Sequence, residues 1–222
     1  MSPATTTSDT TPAGRRGRRM LLALAAVLLV AGGWAVGQLT APTASFPAEG
    51  SPEAGFARDM QTHHLQAVQM STLVRDRTED PEIRQLAYDI ARTQSHQSGQ
   101  MAGWLSAWGL SPTSSQPVMG WMDDSHDHTM PATQEGALMP GMAVQSELDR
   151  LGRLSGKEAE VYYLQLMIRH HQGGVPMAQA AVDGASQPEV RRLAQSIINS
   201  QTLETETMTQ MLQERGAKPL SS

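Results

Sequence analysis

FARDMQTHHLQAVQMSTLVRDRTEDPEIRQLAYDIARTQSHQSGQMAGWLSAWG, residues Phe56–Gly109, aligns without a gap onto Tyr163–Gly216, YLQLMIRHHQGGVPMAQAAVDGASQPEVRRLAQSIINSQTLETETMTQMLQERG, at an offset of 107. Sixteen of the 54 positions are identical, including Met60/Met167, His63/His170, His64/His171, Met70/Met177, Pro81/Pro188, Gln94/Gln201 and Met101/Met208. An internal match of this length marks a duplicated structural unit. Each copy reads as a helix, a short turn and a second helix. Pro81 and Pro188 suit a first helical turn, and the acidic Glu82 and Glu189 beside them suit its positive end. At helical spacing Ile83, Leu86, Ile90, Met101, Trp104 and Trp108 form one apolar stripe, matched by Val190, Leu193, Ile197, Met208 and Met211. Gly109 and Gly216 stand where a helix is expected to stop.

Neither hairpin can bury its stripe alone, so the two must pack together. The reading is all-α, an antiparallel four-helix bundle over residues 51–216, with repeats at 56–109 and 163–216. The connector, 110–150, carries Pro112, Pro117, Pro131 and Pro140, which exclude a long helix before Ala143–Leu154, where a short one is expected. Aromatic content of 4% fits a core of Leu, Ile, Val, Ala and Met.

Upstream, residues 1–19 read as a disordered cytoplasmic tail ending in Arg15, Arg16, Arg18 and Arg19. Met20–Leu39 has no charge, and twenty helical residues span roughly 30 Å, a bilayer core. The arginines orient the segment, leaving everything after a 40–50 linker outside the cytoplasm. The run exceeds a signal-peptide core and no small-residue cleavage site follows, so an uncleaved single-pass anchor is preferred; secretion after cleavage is the alternative. Without the four arginines and Asp9, a chain of net charge −5 leaves −8 for the exported part. An acidic domain argues against nucleic acid and favours cations.

Polar residues interrupt the expected core. His63 and His64 straddle the inner stripe of the first helix with Met60 and Met70; His170 and His171 do so on the third, with Met167 and Met177. On the return helices Gln94 and Gln97 lie between Ile90 and Met101, and Gln201 and Glu204 lie between Ile197 and Met208. Counting from the turns puts Gln94 level with His64 and Gln201 level with His171. Such clusters need hydrogen bonds or an ion, so a metal site and a purely structural His–Gln network both stand. The sequence has no cysteine and no Glu-x-x-His. Thioether plus imidazole without thiolate favours Cu(I), with Ag(I) as its mimic, over di-iron or zinc. The candidate ligands are Met60, His63, His64, Met70, Met101, Met167, His170, His171, Met177 and Met208. Gln94, Gln97, Gln201 and Glu204 are expected to orient the imidazoles. In the connector His126, His128 and Met130 are weaker candidates beside a solvated-loop reading, and Asp59 reads as an exposed helix residue.

MQTHHLQAVQM (Met60–Met70) and LMIRHHQGGVPMAQAA (Leu166–Ala181) resemble the DUF305 family. The resemblance covers roughly residues 51–216 and implies a ferritin-like four-helix bundle, exported or periplasmic; some relatives bind copper or silver through Met and His and support copper resistance. Carried over by position, the His pairs are His63/His64 and His170/His171, and the family's Gln-x-x-Glu survives as Gln201/Glu204 but becomes Gln94/Gln97 in the first half. Gly173, Gly174 and Pro176 depart from the pattern and are expected to interrupt the third helix. The function expected is Cu(I) sequestration or copper homeostasis by a non-enzymatic protein, with copper-export proteins or a second copy as candidate partners. No nucleophile–base or paired-carboxylate arrangement speaks for catalysis.

Overall fold

The computed structural model describes residues 13–40, 46–122 and 133–220, and the chain divides into two units, 1–45 and 46–222. All regular structure among the described residues is helical.

The first unit holds helix α1, Ala13–Thr40. Its Gly17–Thr40 stretch is long and apolar enough to cross a membrane, and none of it is buried in protein. Leu21, Leu22, Leu29, Val30 and Trp34 are all exposed, an arrangement costly in water and favourable in lipid. The helix takes in residues 13–19, which the sequence reading assigned to a disordered tail. Proline-free after Pro12 and rich in arginine, a good helix former, this stretch continues the helix.

The second unit contains α2 (Pro52–Arg75), α3 (Pro81–Ala107), α4 (Gln145–Arg153), α5 (Gly156–Gly184) and α6 (Pro188–Glu214). Helices α2 and α3 form one hairpin, α5 and α6 the other, and the hairpins meet chiefly through α2 and α5. Asp80 caps α3 by accepting the amides of Glu82 (2.9 Å) and Ile83 (3.1 Å). The expected stops are present: Gly109 and Gly216 take φ of 70° and 74°. Leu110 N–H then reaches back to Leu105 O (2.8 Å) and Ala217 N–H to Leu212 O (3.0 Å), closing the exposed carbonyls of α3 and α6.

The apolar core is in two clusters. One gathers Met70, Val74, Ile83, Ile90, Tyr163, Leu166, Met167, Met208 and Leu212. The other gathers Phe56, Met60, Met101, Leu105, Met177, Val190 and Ile197, together with Met139 and Met142 from the connector. Along α2 the second cluster comes first, then the histidines, then the first cluster; along α5 the order is reversed. The two central helices are therefore antiparallel, with the polar residues as a layer between two apolar ends.

The repeat extends further upstream than the ungapped match suggests. Glu53 and Glu160, also 107 apart, each reach the turn of the opposite hairpin. Glu53 accepts the Ser186 hydroxyl (2.7 Å) and the Gln187 amide (3.2 Å). Glu160 accepts the Thr78 hydroxyl (2.6 Å) and Arg215 Nε (3.0 Å), and Arg215 also pairs with Asp80 (2.7 Å). Burial alone would raise the Glu53 carboxyl, but its Ser186 and backbone donors hold it below the usual carboxylate value.

The described ends of the connector lie on the bundle. Asp59 accepts the Met119 amide (2.7 Å) and Trp121 Nε1 (2.8 Å), so the residue expected to be exposed is a half-buried clamp. A Cβ at Gly55 would fall 2.1 Å from the Trp121 ring, so glycine there lets the indole lie against α2. Further on, Met139–Met142 is buried, and Gln66 holds its exit by bonding both the amide (2.7 Å) and the carbonyl (2.9 Å) of Ala143.

Candidate metal centre

His63, His64, His170 and His171 are all fully buried in the middle layer. The middle of α2 and the middle of α5 bring them together. His63 and His170 stack with ring centroids 3.8 Å apart and planes tilted by 34°.

Each imidazole faces an oxygen through Nε2. His64 Nε2 lies 2.7 Å from Gln97 Oε1, and His171 Nε2 lies 2.6 Å from Glu204 Oε2. His170 Nε2 lies 3.0 Å from the carbonyl of His63. The equivalent nitrogen of His63 takes a different partner, the connector carbonyl of Pro140 at 3.4 Å. An oxygen acceptor at Nε2 selects the tautomer that carries its proton there and leaves Nδ1 as a bare lone pair. All four Nδ1 atoms are buried without a hydrogen-bond partner in the protein, and so are both amide atoms of Gln94 and Gln201.

His63, His64 and His170 are held neutral. Burial, reinforced by the neighbouring His64 and only partly offset by the Pro140 carbonyl, pushes His63 down to about 3. Burial pushes His64 down to about 4 against the opposing effect of Gln97, and burial followed by the proximity of His63 carries His170 well below its ordinary value. Neutral imidazole is the form that can donate to a metal.

The structure corrects the register of the return helices. His64 is bonded to Gln97 and His171 to Glu204, whereas Gln94 and Gln201, expected level with them, make no such bond. It also corrects the expected interruption of the third helix: α5 runs unbroken through Gly173, Gly174 and Pro176. The glycines are needed for approach. A Cβ at Gly173 would sit 2.1 Å from Pro140 O, and one at Gly174 would sit 2.6 Å from Gln201 Oε1 and 3.2 Å from His63 Cε1.

The six methionines of the duplicated motif are fully buried, yet they are not grouped by repeat. Met60 and Met101 share a cluster with Met177, while Met167 and Met208 share one with Met70. The sequence names Met139 and Met142 among the connector's methionines but does not place them, or the Pro140 carbonyl, inside the bundle; the paired glycines of α5, which allow another backbone to come close, were the available signal. His126, His128 and Met130 lie outside the described residues. Among the described residues no group of three or more His, Asp or Glu side chains is placed to hold an ion.

The profile of a domain of unknown function, DUF305, matches residues 53–212. A DUF305 protein of Streptomyces coelicolor, described as a candidate secreted protein, is 50% identical, with a TM-score of 0.71 over 79% of this chain and 100% of that one. A DUF305 fragment from Deinococcus radiodurans is 35% identical, with a TM-score of 0.61 over 73% and 96%. CopM in its Cu(I)-bound form is 27% identical, with a TM-score of 0.54 over 74% and 96%, and it is also known in Cu(II)- and Ag-bound forms. No curated protein matches the chain.

Proposed function

Because the chain belongs to the DUF305 family, whose solved structures include copper- and silver-bound CopM, we propose that it binds Cu(I) outside the cytoplasm while held to the membrane by α1. The single observation that carries this reading is the set of four buried imidazoles whose Nδ1 atoms have no partner in the protein. A network built only to fix helix register would close its own polar atoms. This layer leaves open four imidazole nitrogens and two glutamine amides. Imidazole and thioether donors, in a chain without cysteine, suit a soft monovalent ion. The cargo is sequestered or handed on, not chemically transformed.

Residues do different work in this reading. Met60, Met70, Met101, Met167, Met177, Met208 and the four histidines are the donors. Gln97 and Glu204 hold His64 and His171 in the donating tautomer, as outer partners of metal-bound histidines commonly do. Gln94 and Gln201 line the same layer. The arginines at the start of α1 orient it with the bundle outside.

The test is competition between the detergent-solubilised full chain and a chromogenic Cu(I) chelator under reducing conditions. The wild type should withdraw at least one Cu(I) per chain. The His63→Ala/His64→Ala/His170→Ala/His171→Ala variant, shown helical by circular dichroism, should lose that capacity. Equal competition by the two proteins refutes the proposal, and sustained oxygen consumption by the copper-loaded chain refutes its non-enzymatic part.

A further inference from the structure

The two ends of the bundle are related by the duplication, but among the described residues the Met139–Met142 turn of the connector enters only the end that holds Met60, Met101 and Met177. Met139-Pro140-Gly141-Met142 forms a turn closed by the Met142 amide on the Met139 carbonyl (3.2 Å). Its methionines are almost fully buried, 1% and 6% exposed, in the cluster of Met60, Met101 and Met177. Several features are fitted to this insertion. Gly173 offers bare backbone where a Cβ would meet Pro140 O at 2.1 Å. Gly141 takes a φ of 79° and leaves no room for a Cβ, which would lie 2.5 Å from Arg169 O. Gln66 grips the following Ala143 through both its backbone groups.

The insertion also breaks the symmetry of the histidine layer. His170 Nε2 bonds the His63 carbonyl, and strict symmetry would have His63 Nε2 bond the carbonyl of His170. Instead it faces Pro140 O. The turn thus supplies the acceptor that sets the His63 tautomer while it delivers two thioethers to the same end of the bundle. Simple core filling does not require that combination: leucine would fill the space without adding donor atoms, and a turn held elsewhere would leave His63 alone.

We propose that Met139 and Met142 are additional soft-metal ligands, making the Met60/Met101/Met177 end a five-thioether site that binds Cu(I) more tightly than the opposite, Met70/Met167/Met208 end. Pro140 is a positioning residue for His63. This inference rests on the Cu(I)-binding reading above and adds to it a preferred site and the reason the halves differ. The Met139 and Met142 sulfurs reach the ion only because the connector folds back into the bundle.

The decisive variant is Met139→Leu/Met142→Leu in the full chain, a near volume-conserving change that cores tolerate. In the chelator competition the tightest Cu(I) equivalent should weaken at least tenfold, while Met211→Leu, at a core methionine outside the donor set, should leave that equivalent unchanged. In a methyl-labelled methionine spectrum, the first equivalent of Ag(I) should shift the Met139 and Met142 signals together with those of Met60, Met101 and Met177. Wild-type affinity in Met139→Leu/Met142→Leu, with loss only in the quadruple histidine variant, overturns this inference and leaves the proposed function standing. Failure of the wild type to compete overturns both.

Discussion

Mild acid should destabilise the metal-free bundle by an amount set by its buried imidazoles. His63, His64 and His170 are held neutral by burial, the first two with values near 3 and 4. In the unfolded chain each returns to an ordinary histidine near 6.5. Lowering the pH from 7.5 to 5.5 therefore protonates the unfolded state and not the native one. The sign follows: the unfolded state binds more protons, so stability falls as pH falls, starting near 6.5 and continuing toward the native values. Over those two pH units the loss integrates to about 1.4 kcal/mol per histidine, or about 4 kcal/mol for three. Glu53, Glu147 and Asp80, whose carboxyls are held low, lose their contribution only below this window. Urea unfolding followed by circular dichroism at pH 7.5, 6.5 and 5.5 measures the loss. His64→Gln should remove about a third of it. An unfolding free energy that is the same at pH 7.5 and 5.5 would refute the claim that these rings are buried neutral in the native protein.

Four further substitutions probe the frame around the layer. Gly173→Ala, which drives a Cβ into the Pro140 carbonyl, should cost on the order of 2–3 kcal/mol in urea unfolding, since neither backbone can yield cheaply; it should also free the Met139–Met142 turn, seen as faster amide exchange at Ala143. Glu53→Gln and Glu160→Gln should each cost about 1–3 kcal/mol by weakening charge-assisted bonds to the opposite hairpin, and the double variant should show nearly the sum because the two clasps lie at opposite ends. Tyr163→Phe removes the buried Ser71–Tyr163 hydroxyl contact of 3.0 Å and should cost about 1 kcal/mol by the same assay.

The fold was legible because duplication repeats every signal twice. Prolines at the starts of α3 and α6, glycines at their ends and the shared apolar stripe left little choice of architecture. The inward placement of the histidines was equally readable, since a doublet three and four residues after a core methionine must straddle the buried face. The hydrogen-bond partners were not. Counting from the turn placed Gln94 beside His64, but helical side chains lean toward their own N-terminus. On α2 that carries the His64 ring away from the turn; on α3 it tilts each side chain back toward the turn. The ring therefore meets a residue rooted one helical turn further along, Gln97, and the same displacement recurs between His171 and Glu204. The Met139–Met142 insertion was harder still, because nothing local in a proline-interrupted connector says where it folds back. Only the glycines on the distant face of α5 record the approach.

The grouping of the methionines carries a consequence for how the duplicated sequence works. Because α2 and α5 run antiparallel, the methionine that opens the motif in one repeat lies with the methionine that closes it in the other: Met60 with Met177, Met167 with Met70. The His170 ring likewise bonds the backbone of His63, and Glu53 and Glu160 each hold the other repeat's turn. What was duplicated is therefore half of each cluster, not a whole one. A single hairpin would expose its histidines, lose its clasp and leave each cluster with only part of its methionines. Substitutions that differ in position along one repeat should thus pair functionally with their opposites in the other, Met60 with Met177 and not with Met70, and the Met139 and Met142 thioethers join the Met60–Met177 set alone.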